Sequence, residues 1–242
     1  MNLVIDVGNS FSKIALVEKE TILYKEKCVT SDLAIRCNEL LMLHSIKKGI
    51  ISSVGFLTDE QLASLKSTVS LMTLTHDTPV PFKNQYATPK TLGVDRIALM
   101  SAASQLFPTK NVLVIDLGTC ITYDFLSKDN IYYGGGISPG VLMRYQAMHT
   151  FTSKLPLLTP DSRDAKLIGT STNASMQTGA LLGTAYEIDG FIDSYKKKYK
   201  DLTVILTGGD LHFLQNLIKN DIFAHPNFLL KGLNYILEYN KF

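Results

Sequence analysis

Residues 2–24, NLVIDVGNSFSKIALVEKETILY, run as an apolar stretch, a glycine turn, a second stretch, a charged turn and a third stretch. Short apolar runs separated by glycine and charged residues predict strands, here an antiparallel meander. From Asn111 the segment NVLVIDLGTCITYDFLSKDNIYY repeats this order. Asp6, Gly8 and Asn9 fall opposite Asp116, Gly118 and Thr119 at one constant offset. Each copy ends a buried run on an acid, turns at glycine and follows with a short polar residue. Two related domains are expected, over residues 1–108 and 109–242.

Between the copies lie a helical region over 32–43, the buried strand GIISSV at 49–54 and a helix over 58–67. That alternation predicts an α/β layer. LGVDRIALMSAASQLF, at 92–107, reads as a helix with Asp95 in its first turn, where a carboxylate suits the dipole. After the second meander come a Gly/Pro loop at 134–140, a helix, a second helix over 174–197, the strand TVILTGGD and a closing helix. The Gly208-Gly209 pair marks the turn after that strand.

Composition narrows the field. The chain has 242 residues, 45% of them hydrophobic, enough to bury one large core or two modest ones. Lys and Arg total 24 against 22 for Asp and Glu, so no long-range field draws in nucleic acid. No stretch approaches the roughly 20 apolar residues of a membrane span, and the N-terminus enters a strand pattern without a signal peptide's basic flank. A cytoplasmic protein without nucleic-acid or membrane partners is expected. Cys28, Cys37 and Cys120 make neither a CxxC pair nor an even set, and His44, His76, His149, His212 and His225 are scattered. Neither a disulfide framework nor a zinc site is expected.

The candidate chemistry centres on the two acid-tipped strands. A carboxylate at the end of a buried strand is costly unless it meets a cation, a donor or water. Asp6 and Asp116 therefore point to phosphate and metal, or each caps its own turn. Beside Asp6, Gly8 lets backbone N–H groups approach an anion, and Asn9, Ser10, Ser12 and Lys13 add donors. Neither GxxxxGK[ST] nor GxGxxG after a strand occurs, which argues against the P-loop and the dinucleotide-binding fold. Asp95 is the general-base candidate, with a helix acid paired to a neighbouring cation as the other reading. Residues 134–140 either shape a substrate or connect two elements. Thr172, in STNASMQTG, either caps the next helix or touches a ligand.

The ordered set DVGNS, LGVDR, DLGT, YYGGGISPG, STNASMQTG, with the later TGGD and FLLKGLNYIL, resembles the type III pantothenate kinases nearly end to end. The resemblance implies an α/β fold of two ribonuclease-H-like domains, as in actin-like ATPases, each a mixed sheet with helices, around a nucleotide cleft. It implies ATP-dependent phosphorylation of pantothenate to 4'-phosphopantothenate, the first step of coenzyme A synthesis. Asp6, Val7, Gly8, Asn9, Ser10, Phe11, Ser12 and Lys13 match the family's first ATP-phosphate segment and Thr119 another nucleotide contact. Asp116 matches the ligand of a monovalent cation, potassium or ammonium. Tyr86, Gly93, Val94, Asp95, Arg96 and Thr172 match the pantothenate contacts, with Asp95 the proton acceptor. Magnesium with ATP is implied, as is a homodimer with the active site at or near its interface. Ser10 stands where the family more often has Thr, and Cys120 where Ala is common. A same-fold kinase for another small hydroxylated substrate and a non-catalytic nucleotide-binding regulator are the alternatives.

Overall fold

The computed structural model describes residues 1–8, 11–55 and 57–242, so Asn9 and Ser10 of the expected phosphate segment lie outside the described residues. The chain divides into two compact units. One comprises residues 1–108, 130–132 and 228–242, the other residues 109–129 and 133–227.

The first unit contains β1 (Asn2–Val7), β2 (Ser12–Glu18), β3 (Thr21–Cys28), α1 (Leu33–Leu43), β4 (Lys48–Ser53), α2 (Asp59–Thr68), β5 (Ser70–Thr73), β6 (Lys83–Asn84) and α3 (Val94–Leu106). Its five-stranded sheet has the order β3-β2-β1-β4-β5. β1 pairs antiparallel with β2 and parallel with β4. All six residues of β1 are buried, as expected for a central strand covered on both faces. Leu3, Ile5, Val7, Ile14 and Leu16 form one cluster with Leu33, Cys37 and Leu40 of α1 and Leu65 of α2. α2 starts on a capping box: the Thr58 hydroxyl accepts from the Gln61 N–H and the Gln61 side chain accepts from the Thr58 N–H.

The second unit contains β7 (Asn111–Leu117), β8 (Cys120–Leu126), most of β9 (Ile131–Pro139), α4 (Val141–Thr150), α5 (Thr172–Gln177), α6 (Gly183–Lys198), β10 (Leu202–Thr207), α7 (Leu211–Leu214) and β11 (Phe223–Ala224). The final helix α8 (Phe228–Tyr239) returns to the first unit. Within the second sheet the strands run β11-β10-β7-β8-β9. Here β7 pairs antiparallel with β8 and parallel with β10, the same relations β1 has to β2 and β4. The two meanders thus head sheets of matching connectivity, which is the structural counterpart of the repeated sequence. Ile131 and Tyr132, the part of β9 in the first unit, pair with β6.

Residues 134–139, read from the sequence as loop, instead complete β9. Glycine disguises the strand because the backbone passes so close to β8 that no side chain fits. A Cβ on Gly135 would lie 2.6 Å from the Tyr123 carbonyl carbon. Among the described residues no helix is long and apolar enough to cross a membrane.

Candidate active site

Strand register assembles the surroundings of Asp6. Its direct partners are Lys13 on β2 and Ser52 on β4, so all three side chains share one face. The Lys13 ammonium lies 3.8 Å from the carboxylate, and the Ser52 hydroxyl donates to it at 3.1 Å. Asp6 is only 7% exposed. Burial pushes its pKa above the ordinary carboxylate value, and the Lys13 charge and the Ser52 hydrogen bond offset this incompletely. An ionised carboxylate short of positive charge fits a divalent cation.

The same imbalance predicts a stability effect. Because the folded pKa is raised, the folded chain holds more proton than the unfolded one between the ordinary carboxylate pKa and the raised value. Stability therefore falls as pH rises through that window and stays lower above it. Asp6→Asn is expected to raise the Tm of the ligand-free protein at neutral pH. Thermal melting of parent and variant from acid to neutral pH checks this, with the gap in Tm expected to widen as pH rises.

Around Asp6, the Val7 carbonyl accepts from the N–H groups of Val54 and Gly55, and the Gly8 N–H donates to the Phe11 carbonyl at 3.1 Å. The Lys27 ammonium lies 3.8 Å from the centre of the Phe11 ring. Ser12 is buried with its hydroxyl 3.0 Å from that of Thr30, so it braces the hairpin.

At the start of α3, Gly93 is the N-cap, and the Asp95 carboxylate accepts from the Arg96 N–H at 2.8 Å. A Cβ on Gly93 would stand 3.4 Å from Asp95 Cγ and collide with Oδ1, so the bare glycine is what lets the carboxylate lie there. Arg96 is buried, its guanidinium 5.5 Å from the centre of the Tyr86 ring. Tyr86 stacks on Tyr132 at 6.1 Å with an interplanar angle of 17°. The Tyr86 N–H donates to the Asn84 side chain at 2.9 Å. Val94 points its apolar side chain into the core. Acid, cation, aromatic ring and helix N-terminus thus meet at one place in the first unit. Ser52, Asn84 and Tyr132 were missed from the sequence. No local motif marks Ser52, and the only trace of Tyr132 is the tyrosine pair that precedes the glycines.

In the second unit, Asp116 is half-buried between Thr122 of β8 and Thr207 of β10, as Asp6 is between Lys13 and Ser52. Gly208 follows with φ +103°, and a Cβ on it would come 2.5 Å from both Asp116 Oδ1 and the Leu117 amide nitrogen. Glycine is needed there for conformation and for space. Thr119 is exposed on the turn between β7 and β8, where the Gly118 N–H donates to the Cys120 carbonyl and the Gly140 N–H to the Thr119 carbonyl, both at 3.1 Å. Thr172 is exposed and is the first residue of α5, but the cap is Ser171, whose hydroxyl accepts from the Ala174 N–H at 3.2 Å. Among the described residues no three His, Cys, Asp or Glu side chains form a metal-binding group.

Comparison with known proteins adds lineage to this geometry. The family profile described as type III pantothenate kinase matches residues 2–194. A type III pantothenate kinase from Christiangramia forsetii is 49% identical over 242 residues, covering 100% of this chain and 99% of its own. One from Flavobacterium psychrophilum is 42% identical over 245 residues, covering 100% of each chain. Among solved structures, a putative Baf family transcriptional activator from Campylobacter jejuni aligns with a TM-score of 0.63 at 21% identity, covering 99% of this chain and 98% of its own. A glucokinase from an Antarctic psychrotroph aligns with a TM-score of 0.54 at 11% identity, covering 98% of each. At such identities these two likenesses speak to the fold alone, and with the paired sheets they agree with two ribonuclease-H-like domains.

Proposed function

This chain belongs to the type III pantothenate kinase family, the ATP-dependent kinases that phosphorylate pantothenate at the first step of coenzyme A synthesis, and from that premise we propose how its residues divide the work. Asp95 is the proton acceptor for the attacking hydroxyl. The observation that carries this is its carboxylate at the head of α3, beside the buried Arg96 and the Tyr86 ring. Arg96 and Tyr86 hold pantothenate, with the pantothenate carboxylate matched to the guanidinium. Gly93 and Val94 shape the backbone under it, and Thr172, contributed across the dimer interface, is a further contact.

The segment from Asp6 to Lys13 cradles ATP phosphates, and Thr119 makes another nucleotide contact. Family membership implies ATP with a divalent cation, which neutralises phosphate charge when bound. Asp6 is the residue fitted to hold it. Positioning and charge neutralisation account for most of the acceleration in such transfers, and this chain's residues supply both.

We assign a monovalent cation, potassium or ammonium, to Asp116. Supporting it are the half-buried carboxylate and the tight turn at Gly208, where a Cβ would meet both Asp116 Oδ1 and the Leu117 carbonyl oxygen. The homodimer expected from the family is supported by the exposed Thr172 and by the exposed Phe151, Leu157, Leu167 and Ile168 of the same unit. A cytoplasmic location accords with the reaction.

The test is phosphorylation of pantothenate by the purified protein with magnesium-ATP, in potassium and in sodium. Product in potassium and little in sodium is the expected result, and Asp116→Asn should abolish the difference. Equal rates in the two salts would remove the cation from Asp116. No product in either salt, with ATP bound, would remove the assignment of Asp95 and its neighbours to pantothenate.

A further inference from the structure

In the second unit Glu187, on α6, joins three other elements. Its carboxylate accepts from the Tyr123 hydroxyl of β8 at 2.8 Å and from the Ser138 hydroxyl of β9 at 2.5 Å. It also accepts from the Arg144 guanidinium of α4 at 2.6 Å. Arg144 in turn donates through Nε to the Pro139 carbonyl at 3.0 Å. Tyr123 is fixed from its other side by Phe191, also of α6, with ring centres 4.0 Å apart. Burial would raise the Glu187 pKa, yet the donors Ser138, Arg144 and Tyr123 and the Arg144 charge together hold it below the ordinary value. The acid stays ionised and its bonds charge-assisted.

These bonds converge on the corner where β9 becomes α4. Ser138 lies just before Pro139 and Gly140, Arg144 in the first turns of the helix. Gly140 touches the 118–119 turn: its N–H donates to the Thr119 carbonyl at 3.1 Å, and a Cβ on it would lie 2.9 Å from the Thr119 carbonyl carbon. Backbone in contact with backbone leaves the turn no independent position. We propose that Glu187 is a positioning residue for the nucleotide, locking the β9–α4 corner against the Gly118–Thr119 turn without touching ATP. The proposal rests on the assignment of Thr119 as a nucleotide contact.

The experiment measures kcat, KM for ATP, KM for pantothenate and Tm for Glu187→Ala, Glu187→Gln, Ser138→Ala and Thr119→Ala, all well below their melting temperatures. Glu187→Ala is expected to raise KM for ATP about tenfold, the order of one lost charge-assisted bond. KM for pantothenate should stay within about twofold. Glu187→Gln retains an acceptor for Tyr123 and Ser138 but not the charge facing Arg144, and should fall between parent and alanine variant. Ser138→Ala deletes one donor, keeps the fold if Glu187→Ala does not, and should raise KM for ATP about threefold. If Thr119→Ala raises KM for ATP while the Glu187 and Ser138 variants leave it unchanged, the positioning role is overturned and the Thr119 reading stands. Equal rises in both KM values, or a fall in Tm alone, would also overturn it, because a merely structural brace acts that way. If Thr119→Ala leaves KM for ATP unchanged, the Thr119 reading fails and takes with it the route proposed for Glu187.

Discussion

Replacing Asp95 with asparagine is expected to lower kcat by about 10²–10⁴-fold, the usual contribution of a positioned general base. KM for ATP should change little. Asparagine keeps the shape of the side chain and an oxygen that can accept from the Arg96 N–H, now made at 2.8 Å, so the start of α3 should survive. What disappears is the capacity to take a proton. The lost charge at the helix N-terminus costs about 0.3–1 kcal/mol, too little to unfold the protein. A large rate loss without a comparable Tm loss would therefore locate the effect in the chemistry. Steady-state kinetics on the variant, with melting as the control, makes the measurement, and a kcat near that of the parent would remove Asp95 from the proton-accepting role.

The second large effect is on stability and comes from a glycine far along the chain. α8 packs on α3 inside the first unit, burying Phe228, Leu229, Leu230, Leu233, Ile236 and Leu237. At Gly232 the two helices lie so close that a Cβ would collide with the Ala98 carbonyl oxygen and lie 2.7 Å from its carbon. By helix propensity alone Gly→Ala gains about 0.5–1 kcal/mol. Here the obstacle is backbone, which cannot rotate aside, so α8 must lift away from α3. Overpacking typically costs about 1–3 kcal/mol, and Gly232→Ala should reach the upper end. At about 2–4 °C per kcal/mol for a protein of this size, Tm should fall by roughly 6–12 °C. Gly190→Ala on α6, where a Cβ would meet nothing within 4 Å, should instead be neutral or stabilising. A Tm for Gly232→Ala at or above that of the parent would contradict this account of the α3–α8 contact.

Much of this protein was legible in its sequence. Acid-tipped apolar runs at 2–7 and 111–117 were readable because a central strand covered on both faces needs a near-continuous apolar run. The glycine in each turn and the helix opening at Asp95 were readable because turns and helix ends demand particular residues within a few positions. The motif order resembling type III pantothenate kinases agreed with the family found by comparison. The segment 134–139 was misread as loop because local propensity sees glycine, whereas the tertiary structure sees a strand too close to Tyr123 for side chains.

Thus the amino-acid sequence by itself determined which residues carry charge at strand ends, where the chain turns, and the family to which it belongs. Only the tertiary structure decided which groups meet. Lys13 and Ser52 reach Asp6 through strand register, Tyr132 supports Tyr86 through a two-residue pairing with β6, and Glu187 collects donors 43 to 64 positions away. Likewise it decided that α8 returns to pack on α3. The physical reason is that turns and strand ends are fixed by neighbours in sequence, whereas register and helix packing are chosen by burying apolar faces across the whole chain.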